Sequence, residues 1–169
     1  AGCTASDIIQ IVVPPDITPP NIMCPPDITL STDLDKCTAK YNAIVIATDN
    51  CDQDPKITCT ATGATIGGIA NSAFIYNKGV TEVECVATDD YGNKSICKFT
   101  VTVKDQQLPT IICPPNQVHT IPFCDGGKIV TFSNPIVSDN CPMSTFNCSK
   151  QSGEFLTCGN NIIVCTATD

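Results

Sequence analysis

The chain has 169 residues, 13 of them cysteine and none tryptophan, with a formal net charge of −8. An acidic chain lacks the basic patches that nucleic-acid binding needs, and no apolar run approaches the roughly 20 residues that span a bilayer, so neither nucleic acid nor membrane insertion is expected. The cysteines form no C-x-x-C pair and there is one histidine, so they read as disulfides rather than a zinc set, and disulfides point to a secreted, extracellular location.

In chain order, residues 8–13 (Ile8, Ile9, Gln10, Ile11, Val12, Val13) have the composition of a β-strand. Pro14-Pro15 and Pro19-Pro20 follow and mark a unit boundary, because proline blocks continued sheet pairing. Residues 41–48 and 80–88 are rich in β-branched side chains and bounded by Asp, Asn and Gly, the pattern of strands. Asp90-Tyr91-Gly92-Asn93 is a turn joining the last two strands of the unit. Phe99, Val101 and Val103 then alternate with Lys98, Thr100 and Thr102, the two-residue period of a half-buried strand. Leu108-Pro109 marks a second boundary, and no stretch shows useful helical periodicity. The expected fold is all-β: two tandem, disulfide-rich immunoglobulin-like sandwiches, offset by one strand.

The offset comes from an internal repeat. Asn21-Ile22-Met23-Cys24-Pro25-Pro26-Asp27 recurs as Thr110-Ile111-Ile112-Cys113-Pro114-Pro115-Asn116, and Ala47-Thr48-Asp49-Asn50-Cys51 as Val137-Ser138-Asp139-Asn140-Cys141. The shift is 89 positions from Cys24 to Cys113 but 80 from Cys85 to Cys165, so the units differ in loop length. The second unit stops at Cys165-Thr166-Ala167-Thr168-Asp169, and read tail to head these residues run into Ala1–Asp16 much as Cys85–Asp89 runs into the strand ending at Asp105.

The ordered set Met23-Cys24-Pro25-Pro26-Asp27, Asp49-Asn50-Cys51, Ile57-Thr58-Cys59, Val83-Glu84-Cys85, Ala87-Thr88-Asp89 and Phe99-Thr100-Val101 resembles the HYR (hyalin repeat) domain. The resemblance covers residues 17–105 as a first domain and 106–169 as a second that lacks its final strand, with residues 1–16 supplying that strand to a neighbouring copy. It implies an immunoglobulin-like extracellular module, used in tandem arrays and associated with adhesion and matrices.

The functional expectation is therefore a structural protein that forms a filament as a head-to-tail homopolymer. Separate subunits could donate a strand, or the chain could be one period of a continuous array; a loose fragment is the third possibility. The assembly strand is Ile8, Ile9, Ile11, Val12 and Val13. Aligned at equal length, Gln10 falls opposite Phe99 and Pro14 opposite Val103; a one-residue slip puts Ile9, Ile11 and Val13 on the core face instead, so a bulge near Asp7 is expected. The alternative is a monomeric adhesion or receptor ectodomain segment that binds a partner through its loops. No enzyme is expected: His119 stands alone, and no G-x-S-x-G nucleophile motif accompanies it.

Six cysteines of the first unit allow 15 pairings. Cys59–Cys85 is expected because their strands should be neighbours, Cys51–Cys97 because both belong at one end of a sandwich, and Cys24–Cys37 follows by elimination. Their equivalents are Cys148–Cys165, Cys113–Cys124 and a bond from Cys141 to Cys3 of the next copy. Cys158 is left over, as a buried thiol, a replacement in one of these bonds or a second link between subunits. Glycan is expected at the sequons of Asn93, on a turn, and Asn147. Asp49, Asp89 and Asp90 are weak calcium candidates, weighed against plain turn chemistry; no other cofactor or metal is expected.

Overall fold

The computed structural model describes residues 6, 9–69, 73–120 and 126–169. Among them are fifteen strands and no helix. The first module holds β1 (Asn21–Met23), β2 (Ile28–Ser31), β3 (Thr38–Asn42), β4 (Ile46–Thr48), β5 (Lys56–Gly63), β6 (Gly67–Ile69), β7 (Ala73–Asn77), β8 (Gly79–Thr88) and β9 (Lys94–Lys104). The second holds β10 (Thr110–Ile112), β11 (Gly127–Val130), β12 (Ile136–Ser138), β13 (Thr145–Cys148), β14 (Glu154–Thr157) and β15 (Cys165–Thr168).

In the first module five strands form one sheet in the order β2-β9-β8-β5-β6, while β3 pairs with β7 and β1 with β4. The long strands alternate as their sequences do. Thr81, Val83, Cys85 and Ala87 of β8 and Phe99, Val101 and Val103 of β9 point inward and are buried, while Val80 and Ile96 face out. They meet Ala39 of β3, Tyr76 of β7, and Ala43 and Val45 in one core. This is layer-on-layer packing, each sheet burying its apolar face against the other. Gly92 turns the chain between β8 and β9 with φ at 88°, a left-handed conformation that glycine adopts without the steric cost of a Cβ.

Strand β9 lies between β2 and the central strand β8. It pairs antiparallel with β8 on one edge and parallel with β2 on the other, Ile28 opposite Val101 and Ser31 opposite Lys104. β2 has β9 as its strand partner.

The second module is built only of pairs: β10-β12, β11-β14 and β13-β15. Past residue 109 the buried residues among those described are Pro135, Cys141 and Cys148. Phe155 of β14 is 57% exposed.

Two substitutions test the first core. Phe99→Ala should lower stability by about 3–5 kcal/mol, the cost of emptying a buried aromatic site. The Tyr76 hydroxyl is enclosed with no protein partner, and Tyr76 is fully buried. Tyr76→Phe should therefore hold or raise stability by about 1 kcal/mol. Urea unfolding of the oxidised chain checks both; a Tyr76→Phe loss above about 1 kcal/mol would show that the hydroxyl has a partner.

Candidate assembly site

The strand pairings of the two modules differ at one place. β8 is paired along both edges, by β5 and β9. Its repeat counterpart β15 is paired along one, by β13, with Cys148 opposite Cys165 and Thr145 opposite Thr168. Residues 117–120, which correspond to β2 in the repeat, form no strand, and Val118 is 90% exposed. β2 forms because β9 offers it backbone partners; among the described residues no such strand lies beside 117–120.

Between these elements lies an open groove of about 850 Å³, lined by Cys113, Val118, Lys128, Phe132, Leu156 and Ile163 among others. It occupies the side of the module where β9 packs in the first. At the other end of the chain, Ile9, Ile11, Val12 and Val13 are 85%, 80%, 74% and 82% exposed and belong to no strand. Ile8, and the bulge expected near Asp7, lie outside the described residues.

The disulfides carry a matching difference. Cys59 bonds Cys85 across directly opposed positions of β5 and β8, and Cys148 bonds Cys165 likewise. The remaining expected pairings are corrected. Cys97 bonds Cys24, not Cys51, because β1 packs against β9 and brings the two Cα atoms to 5.8 Å. Cys51 sits on the loop beyond β4 as an exposed free thiol. Cys37 bonds Cys141, not Cys24, with a Cα separation of 4.7 Å; the elimination that paired it with Cys24 assumed that every bond stays inside one module, and this one crosses between them. Cys141 is thereby engaged and is not available to Cys3 of another copy. Cys113, the counterpart of Cys24, is free and exposed, not bonded to Cys124; among the described residues no β9-type cysteine lies across from it. Cys3 and Cys124 lie outside the described residues. Cys158 is exposed and disulfide-bonded, not a buried thiol.

Where the modules meet, Asn140 donates its side-chain N–H groups to the Lys36 carbonyl at 2.8 Å and to Asp105 Oδ1 at 3.2 Å. Asp105 also takes Lys78 Nζ at 3.3 Å, and its side chain is 2% exposed. The repeat places the same set at the start of the first module, where Asn50 donates to Asp16 Oδ1 at 3.3 Å. Cys51 N–H and Cys141 N–H each bond the preceding aspartate, Asp49 and Asp139, at 2.8 Å.

Asp49 and Asp89 come together with Asp16, a residue the sequence reading placed only near a junction, their ligand oxygens within 4.8 Å of one another. Asp90 is not part of the group; its N–H bonds Asp52. Asp105, Asp139 and Asp169 repeat the arrangement. Much of this is turn chemistry, since Asp49 Oδ2 accepts from two backbone N–H groups and Asp89 Oδ1 from Tyr91 and Asn93. Asp16 Oδ2 and Asp49 Oδ1 are enclosed without a partner, and such all-oxygen sets are the type that could hold a hard cation.

The sequons are placed unlike their expected contexts. Asn93 is half-buried, and its side-chain nitrogen donates to Asp89 Oδ2 at 2.8 Å and to the Asp16 carbonyl at 3.1 Å. Ser95 donates to the Pro20 carbonyl. Asn147, although on β13, is exposed. His119 is exposed and pairs with Gln117 at 3.0 Å.

An all-β, disulfide-rich chain of repeated modules joined through a bonded junction is a modular repeat protein rather than one built around a single site. The HYR domain model matches residues 15–103 and again 104–169, and the chain belongs to the HYR-domain family. It is also 27% identical to a protein named Hyalin from Strongylocentrotus purpuratus over 99% of this chain, which spans 13% of that relative's length.

The junction carries a pH signature. Burial pushes the Asp105 carboxyl upward, but hydrogen bonds from the Gln107 N–H, Asn140 and Lys78 outweigh it and hold the group below the ordinary 3.8. A carboxyl lowered by folding stabilises above its unfolded value, and that contribution is lost as pH falls through the folded value. Thermal melts across the acid range should show junction stability falling below pH 3.8. Asp105→Asn should flatten that fall; an unchanged acid limb in this variant would contradict the assignment.

Proposed function

We propose that this chain is an extracellular, non-enzymatic structural module pair that builds a fibre by head-to-tail joining. In that joint, Ile9–Val13 of one copy lies in the groove of the second module of another and pairs along residues 160–164, on the free edge of the segment that leads into β15. In separate subunits this is strand donation; in a continuous array the same segment comes from the next repeat. The contact is the same in either case.

One observation carries the reading: β15 has a strand on one edge where its counterpart β8 has strands on both. An unpaired edge beside an exposed apolar groove is a template for another strand. Ile9, Ile11, Val12 and Val13 supply what the groove lacks. Burying four such side chains contributes roughly 6–12 kcal/mol gross at about 1.5–3 each, from which the ordering of the segment and association subtract. A head-to-tail contact that does not close on itself propagates as a filament. Disulfides support the extracellular placement, as does membership of the HYR-domain family.

Electron microscopy of the wild-type chain should show periodic filaments. The double variant Ile11→Asp, Val12→Asp charges the donated strand on both faces, whichever register it takes, and should leave single 17.8 kDa chains by light scattering. Dispersed rods from the wild-type chain would instead support a monomeric adhesion segment.

A further inference from the structure

The internal junction is a worked example of how one module of this chain holds the one before it. Asp105 follows β9 directly, Asn140 reaches back to Asp105 and Lys36, and Cys141 bonds Cys37. Asp16, Asn50 and Cys51 repeat Asp105, Asn140 and Cys141 at the start of the first module, with the same hydrogen bonds from the Asn side chain to Asp16 or Asp105 and from the Cys N–H to Asp49 or Asp139. Cys141 is buried in its junction, whereas Cys51 is an exposed free thiol. The first module thus presents one half of a junction whose other half lies on a preceding module.

We propose that this face docks against the second module of a neighbouring copy as the second module docks against the first, and that Cys51 bonds that copy covalently at the end of β14. The inference rests on the strand-pairing reading above, and the short reach of the chain enforces it. Val103 and Lys104 lead directly into Asp105; Pro14 and Pro15 lead directly into Asp16. A segment seated beside β15 therefore delivers Asp16, Asn50 and Cys51 to the end of the second module from which it emerges.

By the repeat the counterpart of Cys37 is Cys124, outside the described residues; among those described, the cysteine at this end is Cys158. In the first module β7 ends at Asn77, and the next residue, Lys78, donates its N–H to the Cys37 carbonyl. In the second, β14 ends at Thr157, and the next residue is Cys158, exposed and already disulfide-bonded. Thiol–disulfide exchange then needs no oxidant. The Cys51 thiol loses its proton, its sulfur attacks that disulfide, one S–S bond forms and one breaks, and the departing thiolate takes up the proton. Cys51 ends bonded to Cys158 or to the sulfur that Cys158 released.

Wild-type and Cys51→Ser chains are assembled at mildly alkaline pH, capped with iodoacetamide, imaged, and run on gels without reductant; non-reduced digests are read by mass spectrometry. The proposal expects wild-type filaments to give a ladder of chain multiples, with Cys51 in a cross-linked peptide that contains Cys158 or its former partner. Cys51→Ser filaments should form yet run as single chains in detergent. Wild-type filaments whose Cys51 is fully alkylated would overturn the covalent joint and leave strand pairing standing. A wild-type chain that forms no filaments would overturn both.

Discussion

The structure turns on what lies beside the strand that carries Cys85 in the first module and Cys165 in the second. Beside β8 lies β9, and with it come Phe99, Val101 and Val103 in the core, β2 as a parallel neighbour and Cys97 as a partner for Cys24. Beside β15 no strand lies among the described residues. The three consequences appear in reverse: an open groove, an unpaired segment at 117–120 and a free Cys113. One additional strand would meet the first two; Ile9–Val13 carries no cysteine to pair with Cys113.

The junction between the modules is the second constraint. A disulfide that closes a long loop limits the unfolded chain, and the separation of 104 residues between Cys37 and Cys141 makes this the longest such loop described here. The polar contacts around it are directional. Asn140 ties the second module to a carbonyl of the first, and Asp105 gathers donors from both sides. The modules are therefore coupled by a bond and a hydrogen-bond network rather than by a large apolar interface. That is a joint which repeats readily from one unit to the next, since it asks only for the Asp, Asn and Cys that every unit carries.

Much of this was legible in the residues. The alternation in β8 and β9 announces their inward faces, the prolines mark the places where pairing stops, and the match of Cys59 to Cys85 follows from neighbouring strands. Three features were not legible. Cys24 and Cys97 meet because β1 packs against β9, a tertiary contact with no periodic signal. Cys37 and Cys141 meet because two modules touch, and no pattern within one module reports which residues face the other. The Asn93 amide is engaged by Asp89 and by the Asp16 carbonyl, a neighbour 77 positions away. Exposure of a turn could be read from Asp90-Tyr91-Gly92-Asn93; occupancy of its amide could not. The signal that could have found the inter-module bond was present in the repeat: Asp-Asn-Cys occurs twice, yet only one of the two cysteines has a preceding module in the chain.

The central claim is that the free edge of the segment leading into β15 is completed by Ile9–Val13 of another copy. A cryo-EM map of assembled material tests it most directly. The account predicts density for an added strand alongside residues 160–164, continuous with Pro14 and Pro15 of the adjoining module. A groove left empty in the assembly, or filled by residues 9–13 of the same molecule, would contradict it.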